Sequence, residues 1–259
     1  MNIAPISLNF IKNNQNKRTL PQSYKTNELS CDTFSFTGKS KKAEYIDPLE
    51  KLVPKHKGII YKKVCDENGN VIKKIPVEAD IVAKNSGTFQ FKMDDEEIGY
   101  VQLIYIPAES CNKNSWADLY NDYKEEGIVG DRIAVKYVYN GQQEKYGGIG
   151  HLADLIEVAA CKKIGFEPNV VSFSAIDAAP LHYLRGKRFV PYEHYCSQDE
   201  MYEYNLEGKN PNDTIKEILE NTPKGEKFDT SEIEMYLIMY MPKEQIKELE
   251  KELKDHPIF

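Results

Sequence analysis

Residues able to hold an anion are concentrated between Gln142 and His151, in the run Gln142-Gln143-Glu144-Lys145-Tyr146-Gly147-Gly148-Ile149-Gly150-His151. Three glycines there lead straight into an amphipathic segment. That order brings several unpaired backbone N–H groups, at the positive end of a helix, against a negatively charged ligand. The chemistry on offer is a phosphate cradle. His151, at the helix start, has two readings that the sequence leaves open: a phosphate contact or a cap on the helix end.

Regular elements must position this run. Leu152, Leu155, Ile156, Ala159 and Ala160 repeat at helical spacing, Asp154 and Glu157 fall in the first turns, and Lys162 and Lys163 in the last. Gly165 supplies the stop. Upstream, Arg132 to Tyr139 alternates and is rich in β-branched and aromatic residues, and Asn169 to Ile176 does the same downstream. The predicted unit is strand, glycine-rich loop, helix, strand, with the helix N-terminus beside the carboxyl end of the first strand, where α/β sheets bind ligands.

With 259 residues the chain is long enough to bury a core in one good-sized domain with additions or in two small ones. A formal charge of −7 argues against nucleic acid as the main partner and suits a cationic acceptor better. Cys31, Cys65, Cys111, Cys161 and Cys196 are odd in number, scattered and without a CxxC pair, so reduced thiols and no metal site are expected. No apolar run approaches the length of a membrane span and no secretory signal opens the chain, so no membrane partner and a cytoplasmic location follow by default.

Residues 1–45, rich in Asn, Lys, Ser and Thr, read as a disordered leader. From Gly58 to Pro107 the pattern is β: Asn68-Gly69 turns one hairpin and Asp94-Asp95-Glu96-Glu97 a second. Ser115 caps a predicted short helix, Trp116 to Tyr123, whose aromatic residues suit either packing or an acceptor pocket. Beyond Pro191 charged helices are predicted: Asp213 to Asn221, a second after the capping-box pattern Asp229-Thr230-Ser231-Glu232 that carries Met235, Leu237, Ile238 and Met239, and a third from Pro242. These make residues 196–259 a C-terminal helical extension of a domain spanning 46–195.

The glycine run, placed after a strand and before a helix, resembles the Arg/Gln-x-x-Gly-x-Gly/Ala signature of the GNAT superfamily of N-acetyltransferases. Ile98-Gly99-Tyr100 is similar to the strand entry of that family's central hairpin, and Ala179 to Phe189 resembles the helix after its next strand. The likeness covers roughly Thr88 to Tyr192. Lys145 stands where Arg or Gln is usual, and a second hairpin replaces the helix pair that normally shapes the acceptor site.

The resemblance implies an α/β (α+β) fold with a mixed, largely antiparallel sheet and a central βαβ unit, in which two neighbouring parallel strands splay to admit an acyl-pantetheine arm. The donor would be acetyl-CoA. Backbone N–H groups of Lys145, Tyr146, Gly147, Gly148, Ile149 and Gly150 would hold the pyrophosphate, with His151 beside them. The strand edge at Tyr137, Val138 and Tyr139 would bind the thioester carbonyl. Tyr183 would protonate the leaving thiolate, while Asp131, Glu109 and Glu193 are equal candidates for the base. Arg185, Lys187 and Arg188 would either reach the ribose phosphate or face solvent. The acceptor is a small-molecule or peptide amine, and the oligomeric state is open.

Two other readings fit the same residues. A GNAT-like fold that has lost catalysis would serve as an acyl-CoA-binding or interaction module. Gly148-Ile149-Gly150-His151-Leu152-Ala153 with Asp177 also fits the fingerprint of a dinucleotide-dependent oxidoreductase. The long loop before the first glycine and the antiparallel β pattern upstream weigh against that reading.

Overall fold

The computed structural model describes residues 47–107, 131–168, 170–223, 226–233, 235 and 237–259. The predicted leader, the Trp116–Tyr123 helix and Glu109 lie outside them. Asp47 to Phe259 belong to one unit, and Met1 to Ile46 to another that is not described.

Two hairpins open the described chain, each set by its turn. β1 (Gly58–Cys65) and β2 (Val71–Asn85) are joined where Asp66 Oδ1 accepts the N–H groups of Asn68 (2.9 Å) and Asn70 (2.8 Å), and Gly69 takes φ +83°. β3 (Thr88–Met93) and β4 (Glu96–Ile106) are joined by Asp94 and Asp95, both at positive φ, as a two-residue hairpin requires. β5 (Arg132–Asn140) returns antiparallel to β4, and the short β6 (Tyr146–Gly147) pairs with β1. The six strands form a sheet in the order β5-β4-β3-β2-β1-β6.

Helix α1 (Ile149–Ile164) packs on this sheet and ends at Gly165, φ +92°, where the N–H groups of Gly165 and Phe166 return to Cys161 O. Leu152 and Ile156 meet Ile60, Phe89, Phe91, Val101, Leu103 and Ile133 in the first core. A second, three-stranded antiparallel sheet follows, in the order β7 (Val171–Ser174), β9 (Leu237–Tyr240), β8 (Arg188–Phe189). Between β7 and β8 lies α2 (Ala179–Leu184); α3 (Gln198–Glu203) and α4 (Pro211–Asn221) precede β9, and α5 (Lys243–Asp255) ends the chain.

The architecture is mixed α/β, with corrections to the sequence reading. Every paired strand in the described residues is antiparallel. β5 and β7 flank α1 as expected but belong to different sheets, so the predicted central βαβ unit does not share one. A dinucleotide fold, which needs parallel strands, has no such frame here.

The helix expected over Leu237 to Met239 is a strand, the middle one of the second sheet, and Asp229 Oδ1 accepts the Ser231 N–H (3.0 Å) in a local turn. The last helix is no appendage. Ile246, Leu249 and Ile258 join the first core, Phe259 packs edge-on to Phe89 at 5.5 Å, and Ile258 O accepts the Lys55 N–H (2.8 Å).

Candidate functional site

The turn leading to α1 is tied down from several sides. Asn140 Oδ1 accepts the Gln142 N–H (3.2 Å), Asn140 Nδ2 donates to Tyr146 O (3.1 Å), and Lys63 N donates to Lys145 O (2.8 Å). Lys63 Nζ donates to Gln143 O (2.6 Å), which places a cation beside the turn. Gly148 caps α1 at φ +87°, and a Cβ there would press on the Tyr61 ring at 2.9 Å, so glycine is required twice over. At Gly150 a side chain would run into the Arg185 guanidinium.

The amides of this run divide into two sets. Lys145 N and Tyr146 N both donate to Gln142 O (2.9 Å each), and Gly147 is paired with Tyr61 in the ladder. These three therefore do not converge on a ligand as the sequence suggested; they build the turn. The first helical bond is made by Leu152 N to Gly148 O (2.9 Å), so the N–H groups of Ile149, Gly150 and His151 precede it and have no acceptor within the helix. The set of amides without a helical acceptor is shorter than the predicted one and shifted toward the helix.

His151 resolves in neither of the two expected ways. Its Nε2 lies 3.0 Å from Glu252 Oε2, joining α1 to α5.

The strand edge is more specific than its sequence. Gly141 N–H donates to Ile98 O (2.9 Å), so by antiparallel alternation the N–H groups of Tyr139 and Tyr137 also face β4 and that of Val138 faces outward. The rings of Tyr137 and Tyr139 lie against Tyr100, at 5.6 and 5.4 Å between centroids. Gln102 opposes Tyr137 and Leu103 opposes Val135, which leaves Lys136 as a β-bulge. Beyond the bulge the Val135 N–H turns away from β4 and donates to Glu157 Oε1 (3.2 Å).

Sequence reasoning missed a polar cluster beside the start of α1. Asp154 and Glu157, read from the sequence only as acids of the first turns, are buried along with Lys187. Lys187 Nζ is 2.8 Å from Asp154 Oδ1, and Arg185 Nε is 3.3 Å from Asp154 Oδ2, a close ion pair without hydrogen-bond geometry. Arg185 also contacts His182 Nδ1.

Burial, helped by the Asp154 charge, pushes the Glu157 carboxyl up to about 8, against the pull of Lys187 and the Val135 N–H. Burial next to Lys187 and Arg185 holds His182 well below its ordinary range. The available signal was the three-residue spacing of the two acids within an apolar run, facing a later Arg-Gly-Lys-Arg sequence.

The remaining predicted residues are dispersed. Tyr183, on α2, is half-buried against the second core, with the Arg188 guanidinium 4.4 Å from its ring centroid. Arg185 and Lys187 thus share Asp154 while Arg188 lies over Tyr183, and the three do not form one solvent-facing patch. Glu193 is 72% exposed beside His194, and Asp131 is exposed. Surface clefts of about 670 Å³ beside β1 and β2 and about 310 Å³ between α1 and α5 contain none of the turn residues.

Among the described residues, no helix is long and apolar enough to cross a membrane. Comparison with known proteins found no family model, curated protein or solved structure that matches this chain.

Proposed function

We propose that this chain is an N-acetyltransferase that moves an acetyl group from acetyl-CoA directly to a small-molecule or peptide amine. The observation that carries the reading is a strand edge and a helix N-terminus presented together. β5 ends one sheet, and β7 comes within 8 Å of it, Cα to Cα, while pairing only in another; α1 starts from the turn at the carboxyl end of β5. A gap between neighbouring strands, with amide donors along one side and at its end, suits a thioester arm that terminates in a diphosphate.

Each part of the donor meets a stated group in this proposal. The diphosphate takes the N–H groups of Ile149, Gly150 and His151, with Arg185 on one side and Lys63 on the other supplying charge. The arm runs along the outer edge of β5, where backbone N–H groups hold the carbonyl oxygen as it gains charge during attack by the amine. The enzyme's remaining task is to orient the reactants and move two protons. Tyr183 is the proposed acid for the thiolate.

Titration calorimetry with acetyl-CoA tests the site. The wild type is expected to bind, and Gly148→Glu, which crowds Tyr61 and places a negative charge at the helix start, is expected to abolish binding, with circular dichroism separating loss of the site from loss of the fold. Retained affinity in that variant would overturn the cradle. Mass spectrometry of amine panels then separates two outcomes. Acetylated amine supports the transferase. Bound acetyl-CoA without transfer supports a non-catalytic acyl-CoA module, the reading favoured by the dispersal of the candidate acid, Tyr183, and the exposed bases Asp131 and Glu193.

A further inference from the structure

Glu157 is an unusual occupant for a strand edge. Its side chain has no exposed surface; Oε1 accepts the Val135 N–H at 3.2 Å, and Oε2 has no hydrogen-bond partner among the described residues. The charged groups that act on it are Asp154, one turn earlier on α1, and Lys187, ahead of β8; Arg185, in contact with His182, pairs in turn with Asp154. Asp154 engages both cations, one with each oxygen, which leaves Glu157 with a single backbone donor.

We propose that Glu157 occupies, in the free chain, the Val135 N–H that an acyl carbonyl needs, and that docking of the acyl group displaces the carboxyl and makes it take up a proton. The inference rests on the acyl-CoA reading given above. Two acceptors compete for the Val135 N–H, which with that of Val138 faces away from β4. A buried carboxylate that loses its only hydrogen-bond donor takes up a proton more readily, because the donor had favoured its charged form. The proton comes from solvent, Glu157 O⁻ becomes O–H, and no carbon bond is made or broken.

The sign of the effect follows from linkage. Displacement removes a hydrogen bond that favoured the charged form, so the bound state holds more protons than the free state wherever the free carboxyl is ionised. With the free group titrating at about 8, affinity for acetyl-CoA is flat below that pH and falls above it, by at most about tenfold per pH unit.

Calorimetry of the full chain at about pH 8.5, in two buffers of different ionisation enthalpy, reads the proton directly. Acetyl-CoA is expected to take up as much as one proton per molecule bound. CoA, which lacks the thioester carbonyl, is expected to take up none. Glu157→Gln keeps an oxygen for the Val135 N–H but does not titrate, so its affinity should not change with pH.

Binding of acetyl-CoA without uptake, equal uptake with CoA, or an unchanged pH dependence in Glu157→Gln would each overturn the inference. If the Gln variant does not fold, the wild-type comparison of the two ligands decides alone. Failure of both ligands to bind at neutral pH is a different result: it removes the acyl-CoA reading itself, and this inference with it.

Discussion

Buried Glu157 and half-buried His182 give the chain a pH response of defined direction. The Glu157 carboxyl is raised from 4.5 to about 8, so the folded state holds a proton that the unfolded chain has lost, and this contribution to stability declines as pH rises across that interval. His182 is held well below 6.5, so it opposes folding increasingly as pH falls below that value. The two effects oppose each other in the acid range, and only the Glu157 effect operates between about 7 and 8. Urea unfolding should therefore show stability falling through that upper window, with a slope of at most about 1.4 kcal/mol per pH unit. In Glu157→Gln the decline should vanish.

At the level of elements, the C-terminal segment is where sequence and structure part most clearly. Leu237, Ile238 and Met239 are buried in succession because β9 lies between β7 and β8. A short apolar run of this kind does not distinguish a covered strand from a buried helix, since neither shows a polar face. α5, by contrast, is amphipathic as predicted, and its apolar stripe is seated on the first core beside α1. Leu249→Ala is therefore expected to cost about 2–5 kcal/mol in urea unfolding, as a core truncation does. The same change on a detachable extension would leave the main transition where it was. The His151–Glu252 and Lys162–Glu250 pairs that also join α1 to α5 are partly exposed and add little.

Across the whole molecule, α1 is the common support. It is buried from Leu152 through Val158, with the first sheet on one side and the polar cluster from the α2–β8 turn on another. The outer half of the first hairpin is the opposite case: Val71 to Pro76 are exposed on both faces of β2. Hydrogen exchange should divide accordingly. Amides in the middle of α1 should open only with global unfolding, and those of residues 71–76 should exchange through local opening, orders of magnitude faster. Equal protection in the two regions would contradict this distribution of packing.

The sequence alone determined what depends on neighbours in the chain. The glycines at 148 and 165 that begin and end α1, the Asn68-Gly69 and Asp94-Asp95 turns, the strand before α1 and the amphipathic last helix were all legible, because caps, turns and periodicity are properties of a few consecutive residues. Tertiary structure decided how shared groups are allotted. The Lys145 and Tyr146 amides go to Gln142 O, Asp154 and Glu157 lie inside, Val135 N–H goes to Glu157, and β9 completes a second sheet. Each of these depends on which distant segment arrives at the same place. A hydrogen-bond donor or a helix face has no assigned partner until the fold brings one to it, and local pattern carries no record of that choice.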